Sequence, residues 1–85
     1  MNKLFSDNAW DDYLYLHAND KSKMKRINKL IKSIEHEGFS VGIGKPEPLK
    51  YDLSGYWSRR INDEHRLVYK IKDNTIMIAS CKDHY

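Results

Sequence analysis

The sequence predicts an α+β fold, in which an N-terminal helical hairpin packs on a mostly antiparallel sheet. Two observations support this prediction. In the first half of the chain, apolar residues such as Met24, Ile27, Ile31 and Ile34 recur at the spacing of a helix. After the glycine-rich GFSVGIG the pattern changes to short strand-like runs separated by polar turns. Two closely joined helices form an antiparallel hairpin, which would cover one face of the sheet and leave the other open.

Residues at the ends of the N-terminal elements predict their limits. Residues 3–5 form a short candidate strand, and Ser6 is the predicted N-cap of the first helix. The pair Asn19-Asp20 breaks this helix and can cap a second one, which Gly38 ends. The first helix has its apolar stripe at Trp10, Tyr13, Leu14 and His17.

The second half of the chain is predicted to supply the remaining strands. Leu49, Tyr51 and Leu53 alternate as in a strand, and DLSG follows as a turn. YWSRRI and HRLVYKI are predicted to form a hairpin across the polar NDE, and KDN turns the chain into the last strand, TIMIASC.

Length and composition indicate one ordinary globular domain over residues 1–85. No apolar run approaches the roughly 20 residues of a membrane span, and the N-terminus lacks the apolar stretch of a secretory signal. A single cysteine excludes an internal disulfide framework. These features predict a cytoplasmic protein.

The charge of the chain is distributed unevenly. The net charge is +3, yet residues 21–32 hold six lysines and arginines and no acidic residue. A basic stretch of this kind attracts polyanions such as RNA. The alternative is a solvated helix face with no partner, and the sequence leaves both interpretations open.

One glutamate is held between two prolines in GKPEPLK. Pro46 is rigid, and Pro48 restricts the conformation of Glu47, which precedes it. A stiff backbone reduces the entropy lost when a side chain must be kept in place. The motif therefore predicts a carboxylate with a fixed position.

The predicted hairpin brings two arginines together whichever register it adopts. Arg66 lies opposite Arg60 if the turn centres on Asp63, and opposite Arg59 if the turn is a two-residue one. Because like charges opposite each other are destabilising, an anion such as phosphate should relieve them. Arg59 and Arg60 are thus both candidate phosphate-binding residues. Alternatively, Asp63 and Glu64 neutralise the pair locally.

The chain ends in CKDHY, directly after the last predicted strand. His84 is the histidine best placed for proton transfer near neutral pH, although terminal residues are often frayed and without a role. Cys81 is interpreted as a small buried apolar residue, and no set of metal ligands is visible, so no metal or other cofactor is expected. A fixed carboxylate, paired arginines and a histidine suit RNA cleavage, which needs a base for the 2′-hydroxyl, cations at the phosphate and an acid for the 5′-oxygen.

Several motifs in order resemble the YoeB/Txe group of RelE-like toxins. They are AWDDYLYL, KRINKLIKSI, GKPEPLK, LSGYWSRRI, EHRLVY and the terminal HY, and they span nearly the whole chain. The resemblance implies a microbial-ribonuclease-like fold and an endoribonuclease that cuts messenger RNA in the ribosomal A site. It also implies inactivation by a YefM-like antitoxin and leaves the oligomeric state, including a homodimer, open. The competing interpretation is a non-catalytic ribosome- or RNA-binding inhibitor of translation.

The resemblance also implies roles for individual residues. Glu47 would be the general base, Arg66 would stabilise charge on the phosphorane, and Arg60 would hold a phosphate. His84 would be the general acid, and Tyr85 would stack on a base or orient the phosphate. Lys45, Lys50 and the basic second helix would contact messenger or ribosomal RNA.

Overall fold

The computed structural model describes residues 1–82, in which two helices cover one face of a five-stranded mixed sheet. The elements are β1 (Asn2–Phe5), α1 (Asp7–Asn19), α2 (Lys21–Glu37), β2 (Glu47–Pro48), a 3₁₀ turn (Tyr51–Leu53), β3 (Trp57–Arg60), β4 (Arg66–Lys72) and β5 (Thr75–Ser80). The strands lie in the order β1-β5-β4-β3-β2, with β1 parallel to β5 and every other pair antiparallel. The predicted α+β architecture is confirmed.

The helices begin and end at the predicted residues. The Ser6 hydroxyl accepts a hydrogen bond of 3.0 Å from the Ala9 amide and begins α1. Asp20 ends α1 and begins α2, because its carboxylate accepts a 3.1 Å bond from the amide of Lys23, which also lowers the pKa of Asp20. Gly38 ends α2 with a φ of 100°, a value that favours glycine.

The core lies between the helices and one face of the sheet. Residues alternate between the two faces of a strand, so Leu67 and Tyr69 of β4 face the helices while Arg66, Val68 and Lys70 face away. The helices contribute the buried stripe of Ala9, Leu16, Met24, Ile27, Leu30, Ile31 and Ile34, and the sheet adds Ile76 and Ile78. Val68 is buried but lies outside this core cluster, which is consistent with its place on the other face.

The strand predicted over residues 49–53 is wrong. β2 is limited to Glu47–Pro48, and the chain then forms the 3₁₀ turn Tyr51–Leu53, in which Tyr51 has a φ of 57°. A left-handed residue cannot continue a strand, and the proline at position 48 has no amide to donate to the sheet. The turn predicted at KDN is confirmed, since Asp73 and Asn74 both have positive φ values, as a two-residue hairpin turn requires.

Candidate active site on the open face of the sheet

The strand register places one carboxylate and two arginines on the open face. Glu47 of β2 pairs with Ser58 of β3, and Arg60 of β3 pairs with Arg66 of β4. Paired residues share a face, and residues two apart on a strand also share one. Glu47, Arg60 and Arg66 therefore face the same way, opposite to the helices, and the first of the two predicted registers is the one adopted.

Sheet geometry sets the spacing of these three residues. Glu47 lies diagonally across from Arg60, a relation that separates Cα atoms by about 7–8 Å. Arg66 is one strand further, which places its Cα about 12 Å from that of Glu47. Glutamate and arginine side chains together span such gaps, so a phosphodiester lying over β3 can be reached by all three groups.

The turn before β4 holds the guanidinium of Arg66. Nη1 of Arg66 donates to the carbonyls of Asn62 at 3.1 Å and His65 at 3.4 Å. The Asn62 side chain in turn accepts from the amides of Glu64 and His65, at 2.9 and 2.7 Å. Among residues 1–82, Nε and Nη2 of Arg66 have no acceptor, so they can point donors at an anion. Sequence reasoning missed Asn62, whose signal was its place in the polar NDE turn.

Neither the paired arginines nor Glu47 forms an ion pair within the part of the chain that the structure describes. The alternative, in which Asp63 and Glu64 pair locally with the arginines, is therefore not seen among these residues. In this turn a carboxylate oxygen of Glu64 lies 3.9 Å from Nε2 of His65, and neither residue contacts the arginine side chains as an ion pair in the described part of the chain. Within residues 1–82 the facing arginines have no carboxylate partner, and Glu47 is exposed.

Arg59 does not share this arrangement, and its assignment as a phosphate-binding residue is corrected here. Its side chain is fully buried on the helix face. Nε donates to the Tyr69 hydroxyl at 2.8 Å, and the two Nη atoms make the remaining bonds. Their acceptors are Ser33 Oγ and the carbonyls of Ile43, Gly38 and Val41, at 2.9, 3.1, 2.8 and 2.7 Å. All five donors of the guanidinium are thus used inside the protein, and none remains for a phosphate.

Arg59 instead fixes the loop that leads to Glu47. Three of its five acceptors are carbonyls of residues 38–43, and the hydroxyl of another partner, Tyr69, donates to the Phe39 carbonyl at 2.6 Å. Gly44 then passes so close to the core that a Cβ there would lie 2.7 Å from Leu30 Cδ2. The Gly44 carbonyl accepts from the Arg60 amide at 2.7 Å, which ties the loop to β3 three residues before Glu47.

The basic helix α2 reaches the end of β3. Arg26 donates from Nη2 to the backbone carbonyl of Arg60 at 3.3 Å, although the side chains of Arg60 and Arg66 lie on the opposite face of the sheet. A surface depression of about 420 Å³ follows the helix and is lined by Lys21, Ser22, Lys25, Arg26 and Lys29. The lysines that line this depression, together with Lys45 and Lys50, are exposed, as contacts to RNA require. The contact of Arg26 with β3 could not be seen in the sequence, because it joins residues 34 positions apart.

Small side chains form the floor between the charged groups. Ser58, Val68 and Ser80 lie in one row across β3, β4 and β5, beginning at Glu47. All three are buried although they lie on the face away from the helices. Short side chains here leave the longer arginines standing above the sheet. Sequence reasoning missed this row, since only the strand register reveals it.

The predicted general acid and its neighbour, His84 and Tyr85, lie outside the described residues. Cys81, the last predicted core residue before them, is fully buried as expected, and burial raises the pKa of its thiol to about 12. Within residues 1–82 no three histidine, cysteine or acidic side chains converge in a way that could hold a metal ion. No helix in that range is long and apolar enough to cross a membrane.

Known proteins are similar to this chain in both sequence and fold. A family model described as the YoeB-like toxin of bacterial type II toxin-antitoxin systems matches residues 5–85. A Toxin YoeB from Synechocystis sp. is 60% identical over 81 residues, which are 95% of this chain and 93% of the relative. The YoeB-YefM complex from Staphylococcus aureus contains a chain with a TM-score of 0.95 and 58% identity, and the match covers 100% of this chain and 98% of that one. A structure of the YoeB dimer from the same organism gives a TM-score of 0.95 and 59% identity, with the same coverage. The predicted fold and family are thereby confirmed, and the chain belongs to the YoeB-like toxins of bacterial type II toxin-antitoxin systems.

Proposed function

We propose that this toxin is a ribosome-dependent endoribonuclease that cleaves messenger RNA in the ribosomal A site and so stops translation. Residues 1–85 would form the single domain that carries this activity. The observation that carries the proposal is the common placement of Glu47, Arg60 and Arg66 on the open face. A base and two cations on one exposed surface match what cleavage of a phosphodiester needs.

The proposed reaction uses the 2′-hydroxyl of the message as the nucleophile. Glu47 takes the proton from this hydroxyl, whose oxygen attacks the neighbouring phosphorus. Arg66 stabilises the negative charge that builds on the phosphorane, and Arg60 holds a phosphate in place. As the bond from phosphorus to the 5′-oxygen breaks, His84 protonates that oxygen, with Tyr85 orienting the phosphate or stacking on a base. The products are a 2′,3′-cyclic phosphate and a 5′-hydroxyl, and no metal ion takes part.

Both the loop and the turn support a preorganised site. The guanidinium of Arg59 and the proline-flanked backbone fix the approach to Glu47, while the Asn62 turn fixes Arg66. Groups placed in advance lose little free energy to reorganisation during the reaction. The exposed lysines of α2, Lys45 and Lys50 would bind ribosomal or messenger RNA and would supply the salt-dependent part of the affinity.

The related complexes support a protein partner as well. The staphylococcal relative is described with YefM, so we propose that a YefM-like antitoxin binds and inactivates this toxin in the cytoplasm. The dimer of the same relative makes a homodimer the oligomeric state to test.

A test of the proposed function compares Glu47→Gln with Asp73→Asn. The control removes an exposed carboxylate from a hairpin turn, at a left-handed position that asparagine also tolerates. Each protein is added to ribosomes programmed with a defined message, and the 3′ ends of the fragments are mapped. The proposal predicts cyclic phosphate ends with Asp73→Asn and the unmutated protein, and none with Glu47→Gln. If Glu47→Gln blocks translation as fully as the unmutated protein and neither protein cuts the message, the toxin is an inhibitor that acts by occupancy.

A further inference from the structure

An exposed aromatic ring lies close to the proposed general base. Tyr51 has 90% of its surface exposed, whereas the next most exposed large apolar residue, Val41, has 58%. Tyr51 begins the 3₁₀ turn that follows Glu47 by four residues. A ring this exposed contributes little to the core, so its role has to be sought at the surface.

Hydrogen bonds hold the backbone of this turn in place. The amide of Leu53 donates to the carbonyl of Lys50 at 3.1 Å, and that of Ser54 to Tyr51 at 3.0 Å. The turn is closed by a bond of 2.9 Å from Leu49 to Tyr56, which attaches it to the start of β3. Tyr51 itself has a φ of 57°, a left-handed conformation that asparagine or glycine adopts more readily than a bulky residue. Folding therefore gives no reason for a tyrosine at this position.

Tyr51 borders an open surface depression that also includes the proposed base. The depression measures about 460 Å³ and is lined by Glu47, Pro48, Leu49, Lys50, Tyr51 and Leu53. An aromatic surface for a base, a lysine for a phosphate and a carboxylate for a hydroxyl together suit one nucleotide of a single-stranded RNA.

We propose that Tyr51 is a stacking platform for one base of the message beside the cleaved phosphate. The inference rests on the proposed function and deepens it, because it names the contact that places the nucleotide. Unpaired bases of RNA stack readily on aromatic side chains, and such stacking tolerates any base. With the base on Tyr51 and its phosphate near Lys50, the ribose is held within reach of Glu47.

The test uses two variants that separate the ring from the backbone conformation. Tyr51→Asn removes the ring and suits the left-handed φ, while Tyr51→Phe keeps the ring. Single-turnover cleavage of programmed ribosomes is measured over a range of protein concentrations, with urea unfolding as a measure of folding. Tyr51→Asn should raise the half-saturating concentration by about 5–150-fold, the effect of losing one base stack. Its unfolding midpoint should be unchanged or higher, and Tyr51→Phe and the distant control Leu14→Ala should resemble the unmutated protein.

A fluorescent message identifies what the ring touches. The fluorescence of 2-aminopurine falls on stacking, so it is placed at each A-site position in turn and read with the non-cleaving Glu47→Gln protein. We expect one position to be quenched, and Tyr51→Asn to abolish that quenching. Equal cleavage by Tyr51→Asn and the unmutated protein overturns the stacking inference alone. Weaker binding with unchanged quenching at every position also overturns it, since the ring would then contact ribosomal RNA. An unmutated protein that cuts no message would instead overturn the proposed function.

Discussion

Replacing Arg59 by alanine should destabilise the fold far more than replacing its neighbour Arg60. Alanine at position 59 leaves three loop carbonyls, a serine hydroxyl and a tyrosine hydroxyl without their donor. A hydrogen bond to a charged group contributes about 1.5–3 kcal/mol, but the five share one guanidinium and do not add. Leaving a buried acceptor without its donor costs about 1–3 kcal/mol, and several acceptors are affected here, so we expect a total loss of about 3–5 kcal/mol. Arg60 is exposed, so its replacement should change stability by no more than about 0.5 kcal/mol.

The free energy lost in Arg59→Ala is large compared with the total free energy of unfolding of the domain. A chain of 85 residues has a free energy of unfolding of about 4–13 kcal/mol, so Arg59→Ala would remove much of it and could leave the chain unfolded. Arg59→Lys should be intermediate, because lysine keeps the charge but has three donors where arginine has five. With a urea m-value of about 1–2 kcal/mol/M, a loss of 4 kcal/mol lowers the midpoint by roughly 2–4 M.

The assay is urea unfolding followed by circular dichroism for Arg59→Lys, Arg59→Ala and Arg60→Ala, combined with single-turnover cleavage. Arg60→Ala should keep its midpoint and lose cleavage, and both Arg59 variants should lose stability. An Arg59→Ala protein that unfolds at the same urea concentration as the unmutated one and loses only cleavage would refute the reasoning. Arg59 would then be a ligand of phosphate after all.

Four further predictions concern other parts of the chain. Arg66→Ala should lower the single-turnover rate of cleavage about 10²–10³-fold with little change in ribosome binding. Replacing lysines within residues 21–32 should instead weaken ribosome binding and reduce its salt dependence. Weaker binding with Arg66→Ala, or slower cleavage with unchanged binding for the lysine variants, contradicts these roles. Burial raises the pKa of the Cys81 thiol to about 12, so its contribution to stability is complete below pH 9 and is lost as the pH rises, by up to about 1.4 kcal/mol per pH unit. Urea unfolding across that range should therefore show a shallower alkaline decline for Cys81→Ala, and equal declines would disprove the linkage. Gly44→Ala should cost about 1–3 kcal/mol because φ is 86° and the new Cβ meets Leu30, which thermal unfolding will measure. A short tag after Tyr85 should reduce cleavage while an N-terminal tag does not, and equal activity of the two tagged proteins would argue against a catalytic role for the chain end.

Most of the fold could be predicted because its signals are local. The hydroxyl of Ser6 and the carboxylate of Asp20 act within three residues of their own positions, so the helix starts are visible in the sequence. The stripe of α2 and the turn at Asp73-Asn74 are also local. The strand predicted over residues 49–53 failed because alternation of apolar residues was not the decisive factor. The left-handed backbone at Tyr51 ends the strand, and no neighbouring residue in the sequence indicates this conformation.

The candidate site was predicted less completely, because its arrangement depends on long-range pairing. Reasoning from the residues named Glu47 and Arg66 as candidates but left Arg59 and Arg60 both open as the partner of Arg66, and only the resemblance favoured Arg60. That choice depends on where the turn falls, and a shift of one residue exchanges the two arginines between the faces of the sheet. Nor could the sequence show that Arg26 reaches β3, since this contact needs the packed helix.

The core-facing residues of β3 and of the turn after it explain how the sheet keeps its functional register. Trp57, Arg59 and Ile61 alternate along the chain, and the two apolar residues pack in or against the core on either side of the buried arginine. If β3 slipped so that Arg60 took the place of Arg59, an arginine would still be buried. Polar residues would then take the places of Trp57 and Ile61, and two apolar side chains would leave the core. The apolar neighbours of Arg59 therefore stabilise the one register in which Arg60 and Glu47 share a face, and this makes core packing a condition for the site.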